Sequence, residues 1–348
     1  MRIRASQTLV FSLEANAIVA FNYLTGAIFE CDSDLLALLS DLGEWSDFDR
    51  VHCMVPTMAA DELRETLSQL IDGGAIVEQN SALATREAEH KRTWTWGLPS
   101  ALFHFSVHDR QHMTLEATED LQRAKAARSA QPDPFLKNNT DRQIILPDPS
   151  ASELIQLMAR RRTARRTTAE NVTLQQVSEC LFAGMGITGH TENCVGRLPL
   201  SMTPSGGARN PFEAFLLARR IDGLNPGLYH YSAVQHSLEA IEEAAIPPLP
   251  ELLGGQDWVD DMPCIILLCA FFERSMWKYD DANAYRVVMI EAGHIGQNIM
   301  LAATRNSLSA CPTAALNHEV LQNLLGLAQR STQWPLYALT LGHPSRSS

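Results

Sequence analysis

The feature that most restricts the fold is an uninterrupted apolar run, Cys264-Ile-Ile-Leu-Leu-Cys-Ala-Phe-Phe272. A continuous apolar segment of this kind, without polar alternation, is typical of a central strand with both faces covered. Shorter strand patterns occupy 213–219, 227–231, 236–241 and 336–342, and the second and third of these form a hairpin-like pair. Because helical crossovers do not separate these strands regularly, we predict an α+β fold with helices around a mainly antiparallel sheet.

Capping residues and apolar periodicity predict helices at five places. These helices cover residues 32–40, 59–71, 150–159, 173–184 and 285–306. The last is the longest and carries small residues among larger apolar ones. We therefore expect another helix, or a flat ligand, to approach it closely.

Residues 1–95 are predicted to form a small winged-helix-like module. Alternating segments within 8–31 predict short strands, two predicted helices follow, and Asp72-Gly-Gly leads into a strand at 75–77. Modules of this kind bind DNA or peptides, but acidic residues dominate the second helix and the strand after it, which is the wrong sign for phosphates. We interpret the module as a peptide-recognition element, with a purely structural packing role as the alternative.

Composition and charge exclude several classes of partner. Hydrophobic residues make up 45% of the 348-residue chain, which predicts a globular protein long enough for two domains. A formal charge of -12 argues against nucleic acid or an anionic membrane as the main partner. No run approaches the length of a membrane span, so we expect a cytoplasmic protein. Residues 96–149 are assigned as a connector, and 150–348 as the second domain.

Cysteine and histidine patterns predict neither disulfides nor a metal site. The chain has seven cysteines, an odd number without a C-x-x-C pair, which fits free thiols in a reducing cytoplasm. His104, His108 and His112 share a four-residue spacing, but residues 103–108 alternate like a strand and no cysteine lies near. We therefore expect no metal ligands there.

Two segments of the second domain are candidates for ligand binding. Five arginines lie within residues 160–166, and with Thr163 they would suit the phosphate and ribityl chain of a mononucleotide. A solvated charge run at a helix end is the alternative. Pro204-Ser-Gly-Gly207 lets the backbone come close to a flat or anionic ligand, although such a sequence is also an ordinary turn.

Several ordered motifs together resemble a known family. Arg161-Arg-Thr-Ala-Arg165 resembles the opening signature of the FMN-dependent nitroreductase fold. Pro204-Ser-Gly-Gly-Ala-Arg-Asn-Pro-Phe-Glu213, Met276-Trp-Lys-Tyr279 and Glu291-Ala-Gly-His-Ile-Gly-Gln-Asn298 look like its SagB/McbC branch. Members of that branch are dehydrogenases of ribosomal peptides, and they typically oxidise thiazolines and oxazolines to thiazoles and oxazoles. The resemblance covers roughly residues 150–344, and the N-terminal part also resembles the peptide-recognising portion of such enzymes.

The resemblance implies an FMN site built from three segments. Residues of the first motif would hold the FMN phosphate and one edge of the flavin: Arg161, Arg162, Thr163 and Arg165. A second set matches the loop that lies against the isoalloxazine: Pro204, Ser205, Gly206 and Gly207. A third set matches the segment whose backbone amides face the flavin ring from the other side: Pro312, Thr313, Ala314 and Ala315. Family members often end with a basic residue reaching the phosphate, and here only Arg346 is left for that contact.

Lys278 and Tyr279 are the predicted catalytic residues. Forming an azole from an azoline removes a hydride to the flavin and a proton from an adjacent carbon, so a base near the flavin is required. The alternative is that Lys278 lies along the end of the preceding strand while Tyr279 packs. His294, Glu291 and Gln297 are interpreted as structural or interface residues.

The sequence thus predicts an FMN-dependent oxidoreductase of ribosomal peptide maturation, most simply one that dehydrogenates azolines. The same fold supports reduction of dehydroamino acids in peptides, oxidation of aromatic side chains, and reduction of small nitro compounds or quinones. The alternative to an enzyme is a non-catalytic subunit that binds a peptide and serves as a scaffold. The implied partners are a precursor peptide, a cyclodehydratase or other maturation enzyme, and a second copy of the chain, since nitroreductase-fold enzymes build the FMN site across a homodimer.

Overall fold

The computed structural model describes residues 2–14, 17–108, 113–132, 134, 144–241 and 245–345. In chain order, the elements as far as residue 128 are β1 (Arg2–Ala5), β2 (Leu9–Glu14), β3 (Ala17–Asn22), β4 (Ile28–Cys31), α1 (Ser33–Asp41), β5 (Ser46–Asp47), α2 (Phe48–Met54), α3 (Ala60–Asp72), β6 (Ile76–Glu78), α4 (Ala82–Thr93), α5 (Gly97–Ser106) and α6 (Leu115–Arg128).

The elements that follow are α7 (Glu153–Arg160), β7 (Val172–Thr173), α8 (Leu174–Met185), β8 (Ile187–Asn193), β9 (Gly196–Ser201), β10 (Phe212–Ala218), β11 (Ile221–Asp222), β12 (Gly227–Ser232), β13 (Ser237–Ile241), α9 (Leu249–Leu252), β14 (Cys264–Phe271), α10 (Glu273–Met276), α11 (Ala284–Arg305), β15 (Ser309–Thr313), α12 (His318–Leu324) and β16 (Gln333–Gly342). Within these described residues, no helix has both the length and the apolar character of a membrane span.

The chain divides into two compact units. The first comprises Met1–His108, Phe272–Tyr285 and Leu327–Trp334. The second comprises Asp109–Phe271, Arg286–Gly326 and Pro335–Ser348. The range that we expected to be a connector, 96–149, contains helices α5 and α6.

The first unit contains two small antiparallel sheets. In one, β1 lies between β5 and β6, and in the other the order is β2-β3-β4. Apolar side chains from β1, β6 and the helices pack between these elements with no exposed surface: Ile3, Leu42, Leu63, Leu67 and Ile76. The strands and helices predicted for this region are confirmed, and the winged-helix-like description of it remains a prediction.

The strand-like pattern at residues 103–108 was a wrong indication, because most of this segment belongs to helix α5. The alternation of aromatic residues and histidines in this segment resembles the period of a strand. The buried residues of α5 include Ala101, His104 and Phe105, which are spaced as on one face of a helix, while Phe103 is 59% exposed. His104 and His108 lie close together, with ring centroids 4.4 Å apart. His112 lies outside the described residues.

The second unit is organised around a six-stranded sheet with the order β13-β12-β10-β14-β16-β15. The predicted central strand is confirmed, since every residue of β14 except Phe271 is buried. The hairpin of β12 and β13 and the pairing of β10 with β14 are antiparallel, as is the pairing of β15 with β16. All seven cysteines are free, as the sequence predicted.

Two predicted helices of this unit form for identifiable local reasons. Helix α8 begins with a capping box, in which the Thr173 hydroxyl accepts from the backbone N–H of Gln176 and the Gln176 side chain accepts from that of Thr173. Its buried face includes Val177, Cys180 and Leu181. Helix α11 runs for 22 residues, as its apolar periodicity predicted, and it presents Val287 and Glu291 one turn apart.

Candidate cofactor site

The arginine-rich segment follows helix α7 directly. Arg162 is exposed, and its Nη1 donates to the carbonyls of Ala159 and Arg161, both at 2.8 Å. These bonds satisfy carbonyls at the end of α7. Ala164 is buried and fixes the segment to the unit, whereas Thr163 and Arg165 stay exposed. The segment therefore combines one buried anchor with several accessible cationic groups.

Arg165 is joined to the 312–315 segment through two residues that the sequence did not indicate. Its guanidinium lies over the ring of Trp258, 5.9 Å from the centroid. Trp258 Nε1 donates to Gln256 Oε1 at 3.2 Å. Gln256 Nε2 in turn donates to Thr313 Oγ1 and to the carbonyl of Ala315, each at 3.2 Å. The structure thus brings two of the three predicted cofactor segments together.

Gln256 and Trp258 belong to no motif that we identified. They lie at a short turn of 3-10 helix, Asp257–Val259, and the contacts of Gln256 reach residues 57 and 59 positions along the chain. A local pattern carries no signal of such contacts, so only the fold could find them.

The 312–315 segment leaves the sheet at the end of β15. The Thr313 hydroxyl accepts from the backbone N–H of Ala315 at 3.1 Å, which fixes a tight turn. Ala314 at the tip of this turn is exposed, and Leu316 beyond it is buried. Cys311 is also buried, and burial raises the pKa of its thiol, while the nearby Arg165 guanidinium acts in the opposite direction.

The loop of residues 204–207 is held by helix α11. Gly207 has a φ of 63°, which is in the left-handed region that favours glycine. At Gly206, a Cβ atom would lie 2.7 Å from Val287 Cγ1, so any larger residue would push the loop away from the helix. Ser205 Oγ accepts from the backbone N–H of Asn210 at 2.8 Å and closes the loop. The close approach of Val287 therefore requires glycine at 206, and the backbone conformation favours glycine at 207.

Glu291 of α11 binds the same loop from beneath. Only 5% of the residue is exposed, and its Oε2 accepts from the Gly206 N–H at 3.2 Å. Burial raises the pKa of this carboxyl to about 7, against hydrogen bonds from Ser205 and Gly206 that lower it. In the described part of the chain, no cationic side chain pairs with Glu291. The loop thus rests on a carboxyl group that changes charge near neutral pH.

The predicted catalytic pair lies in the first unit, just after α10. Lys278 is exposed, and its Nζ is 5.3 Å from the ring centroid of Tyr279. Tyr279 is half-buried, and its carbonyl accepts from Trp96 Nε1 at 2.7 Å. The backbone of this pair is therefore fixed by a tryptophan of the same unit. Arg346, the remaining predicted cofactor residue, lies outside the described residues.

The residues present fit FMN by their charge and shape. Among the described residues, no carboxylate forms an ion pair with Arg161, Arg162 or Arg165, so these cations are available to a phosphate. Gly206 and Gly207 give a loop without side chains, as close approach to a flat ring requires.

Comparison with known proteins identifies the same region. The profile of the nitroreductase family matches residues 158–343. Protein MJ1384 of Methanocaldococcus jannaschii, whose name describes it as a nitroreductase, is 27% identical over 58% of this chain and 96% of its own length.

Two further relatives carry names that refer to peptide processing. Trifolitoxin-processing protein TfxB of Rhizobium leguminosarum is 35% identical over 36% of this chain. Microcin B17-processing protein McbC of Escherichia coli is 28% identical over 37% of this chain. The matches span 35% of the length of TfxB and 49% of that of McbC.

Proposed function

This chain belongs to the nitroreductase family, and from that premise we propose that it is an FMN-dependent oxidoreductase that matures a ribosomally made peptide. The observation that carries the proposal is the Arg165, Trp258 and Gln256 chain of contacts, which joins the unpaired arginines to the 312–315 segment. The names of TfxB and McbC support a peptide as the substrate class.

In the reaction that we propose, an azoline ring in the peptide is oxidised to an azole. FMN, when bound, supplies the acceptor for the hydride that leaves the ring. Arg161, Arg162, Thr163 and Arg165 hold its phosphate, with Arg346 as a further contact. The 204–207 loop and the 312–315 segment would hold the ring. Within 312–315 the backbone donors would come from Thr313 or Ala314, because Pro312 has no N–H and that of Ala315 donates to Thr313 Oγ1.

Lys278 and Tyr279 remove the proton in this proposal. The azoline loses a hydride and a proton, so one basic group must accept the proton from the ring carbon. Lys278 Nζ lies 5.3 Å from the ring centroid of Tyr279, so the two side chains together form one candidate site for the proton.

The proposed partners are those that the resemblance to the SagB/McbC branch implies. The N-terminal module recognises the precursor peptide, and a cyclodehydratase supplies the azoline. The active form is a homodimer in the cytoplasm.

A reductase of dehydroamino acids or of small nitro compounds is the competing function, because MJ1384 carries the nitroreductase name. A requirement for NAD(P)H would favour that reductase, and O₂-dependent turnover without it would favour the oxidase.

The first test is the visible spectrum of the purified protein, with the chromophore released by acid and identified. FMN is expected, either retained or after reconstitution. Peptides that contain azolines should then lose two hydrogen atoms per ring, as mass spectrometry measures. A colourless protein that does not bind FMN would contradict the proposal and favour a non-catalytic scaffold.

The catalytic assignment is tested with Lys278→Ala and Tyr279→Phe. Both variants should keep FMN but lose at least about 100-fold in azoline oxidation, the scale on which a positioned acid or base acts. Lys125→Ala, on the exposed surface of α6, is the matched control and should oxidise at the wild-type rate. Full turnover in both site variants would remove this assignment.

A further inference from the structure

A cavity of about 460 Å³ lies within the first unit, and no step of the proposed reaction uses it. It is lined by Gln7 and Thr8, by Leu9 at the start of β2, by Tyr23, by Trp94, and by residues of α4 and α5. Its volume is in the range of sites that hold a ligand or an anchoring side chain of a partner.

The cavity lining includes a carboxylate whose hydrogen bonds are already made. Glu87 is 2% exposed and pairs with Arg4 Nη2 at 2.5 Å. It also accepts from the Ser6 hydroxyl and from the backbone N–H of Gln7 at 3.1 Å. Because Glu87 is neutralised and fully engaged, it does not attract a cationic ligand.

Three aromatic residues of the cavity wall are buried and uncharged. Tyr23, His90 and Trp94 contribute to it, and each is more than nine-tenths buried. Burial lowers the pKa of His90 to about 4 and raises that of Tyr23 to about 12, so both are neutral at pH 7. Nδ1 of His90 has no hydrogen-bond partner among the described residues. The wall therefore suits an apolar ring or branched chain, with one buried polar atom still to be satisfied.

The rim carries a cation. Lys91 is exposed, lines the cavity, and forms no ion pair with a carboxylate in the described part of the chain. Since Arg4 and Glu87 cancel, Lys91 gives the site a net positive charge. An acidic group beside the apolar one is thus the complementary ligand feature.

An edge strand contributes to the lining of the cavity. Strand β2 is an outer strand of the order β2-β3-β4, and its first residue, Leu9, lines the cavity. Residues 11–14 of β2 are all exposed, including Leu13 at 86%. An extended peptide can pair with such an edge and insert one side chain into an adjacent pocket. A small molecule would use the pocket but not the edge.

We propose that this cavity and the β2 edge bind an extended acidic peptide, with a large apolar side chain in the cavity and a neighbouring carboxylate on Lys91. The proposal rests on the proposed function, because the peptide it names is a segment of the precursor. The proposal adds the binding site for that segment, which is formed by β2, α4 and α5.

The test uses the full chain and labelled synthetic peptides of seven residues, followed by fluorescence anisotropy. The probe has a central phenylalanine flanked by glutamates within a threonine and valine background. Replacing its phenylalanine by alanine should weaken binding about 30-fold. Lys91→Glu should weaken binding about tenfold, and it should bind a lysine-flanked version of the peptide more tightly than the wild type does.

Lys125→Glu is the matched control, because Lys125 also lies exposed in the last turn of a helix, α6. It should bind the probe as the wild type does. Equal binding of all peptides, or no binding, would overturn the inference. So would 3-phenylpropionate competing as tightly as the peptide, since that outcome assigns the cavity to a small molecule.

FMN content and oxidation of a short azoline peptide are measured on the same proteins. Wild type and Lys91→Glu should agree in both, because the cavity takes no part in the chemistry. A protein that oxidises the azoline but does not discriminate between the probes contradicts only the present inference. A protein that binds the probe as expected but no FMN contradicts only the proposed function.

Discussion

The two units contain buried carboxylates that are held in opposite ways. In the first unit Glu87 pairs with Arg4 and accepts hydrogen bonds from the chain around it. In the second unit Glu291 is also buried, but among the described residues it accepts only from Ser205 and Gly206, and no described carboxylate pairs with Arg161, Arg162 or Arg165 of that unit's candidate site. Paired charges fix a structure, whereas separated ones remain available to a proton or a ligand.

The largest effect is expected from breaking the buried pair. Glu87→Leu leaves the Arg4 guanidinium buried without a counter-charge and should cost about 3–5 kcal/mol of unfolding free energy. Urea denaturation measures this cost, with the exposed Glu62→Leu as the control. The double variant Arg4→Met with Glu87→Leu should recover most of it. A single variant as stable as the wild type would show that the pair does not hold the first unit.

The pH dependence of stability should distinguish Glu291. Its pKa is about 7 in the folded protein against an ordinary value of 4.5, so the folded state binds the proton more tightly. The stabilising contribution of Glu291 to the free energy of unfolding is fully present below pH 4.5. It is lost as the pH rises through 7, and the total loss is about 3 kcal/mol. The amide side chain introduced by Glu291→Gln cannot lose a proton, so the unfolding free energy of this variant should lack the decline. Urea denaturation between pH 4.5 and 8 measures the difference.

The pH profile of Glu291→Gln must be compared with that of the wild type, because His90 changes stability with pH in the opposite direction. Its pKa is lowered from 6.5 to about 4, so its contribution is lost as pH falls through that window. His90 is present in both proteins and cancels in the difference. Parallel pH profiles of wild type and Glu291→Gln would refute the account of Glu291.

Removing an unpaired cation should affect the ligand more than the fold. Arg165→Met should weaken FMN binding about 10–100-fold, the contribution of a hydrogen bond to a charged group, and change stability little. Titration of the apoprotein with FMN measures this. Arg128→Met, an exposed arginine at the end of α6, serves as the control. If both variants bind FMN equally, Arg165 is not a phosphate ligand.

A smaller effect is expected at Gln256. Gln256→Leu removes the neutral hydrogen bonds to Thr313 and Ala315, worth about 1 kcal/mol, and should weaken FMN binding about fivefold. The same titration, with Gln175→Leu on the exposed face of α8 as control, checks it. An unchanged affinity would show that the 312–315 turn is rigid without this contact.

Much of the fold could be predicted because its signals are local. The continuous apolar run required a buried central strand, and β14 is that strand. Thr173 and Gln176 marked the start of α8. The failure at α5 has the same origin: aromatic residues and histidines fill so many of its positions that a period of two and a helical period both fit, and only the packing of Ala101, His104 and Phe105 decides.

The candidate site was predictable as motifs and not as contacts. The family signatures identified the arginine segment, the glycine loop and the 312–315 segment, which lie far apart in the chain. Glu291 was interpreted as a structural or interface residue, and its contact with Gly206 and its raised pKa were not foreseen. Gln256 and Trp258 carried no signal at all.

The sequence by itself determined the buried central strand, the helices at 33–41, 60–72, 153–160, 174–185 and 284–305, the free state of the cysteines and the membership of the nitroreductase family. Only the tertiary structure decided which charges are paired and which are free. Arg4 meets Glu87 across 83 residues, and Gly206 meets Glu291 across 85. The reason is physical: the free energy of a buried charge depends on the solvent it loses and the partners it gains, and both are fixed by distant parts of the chain.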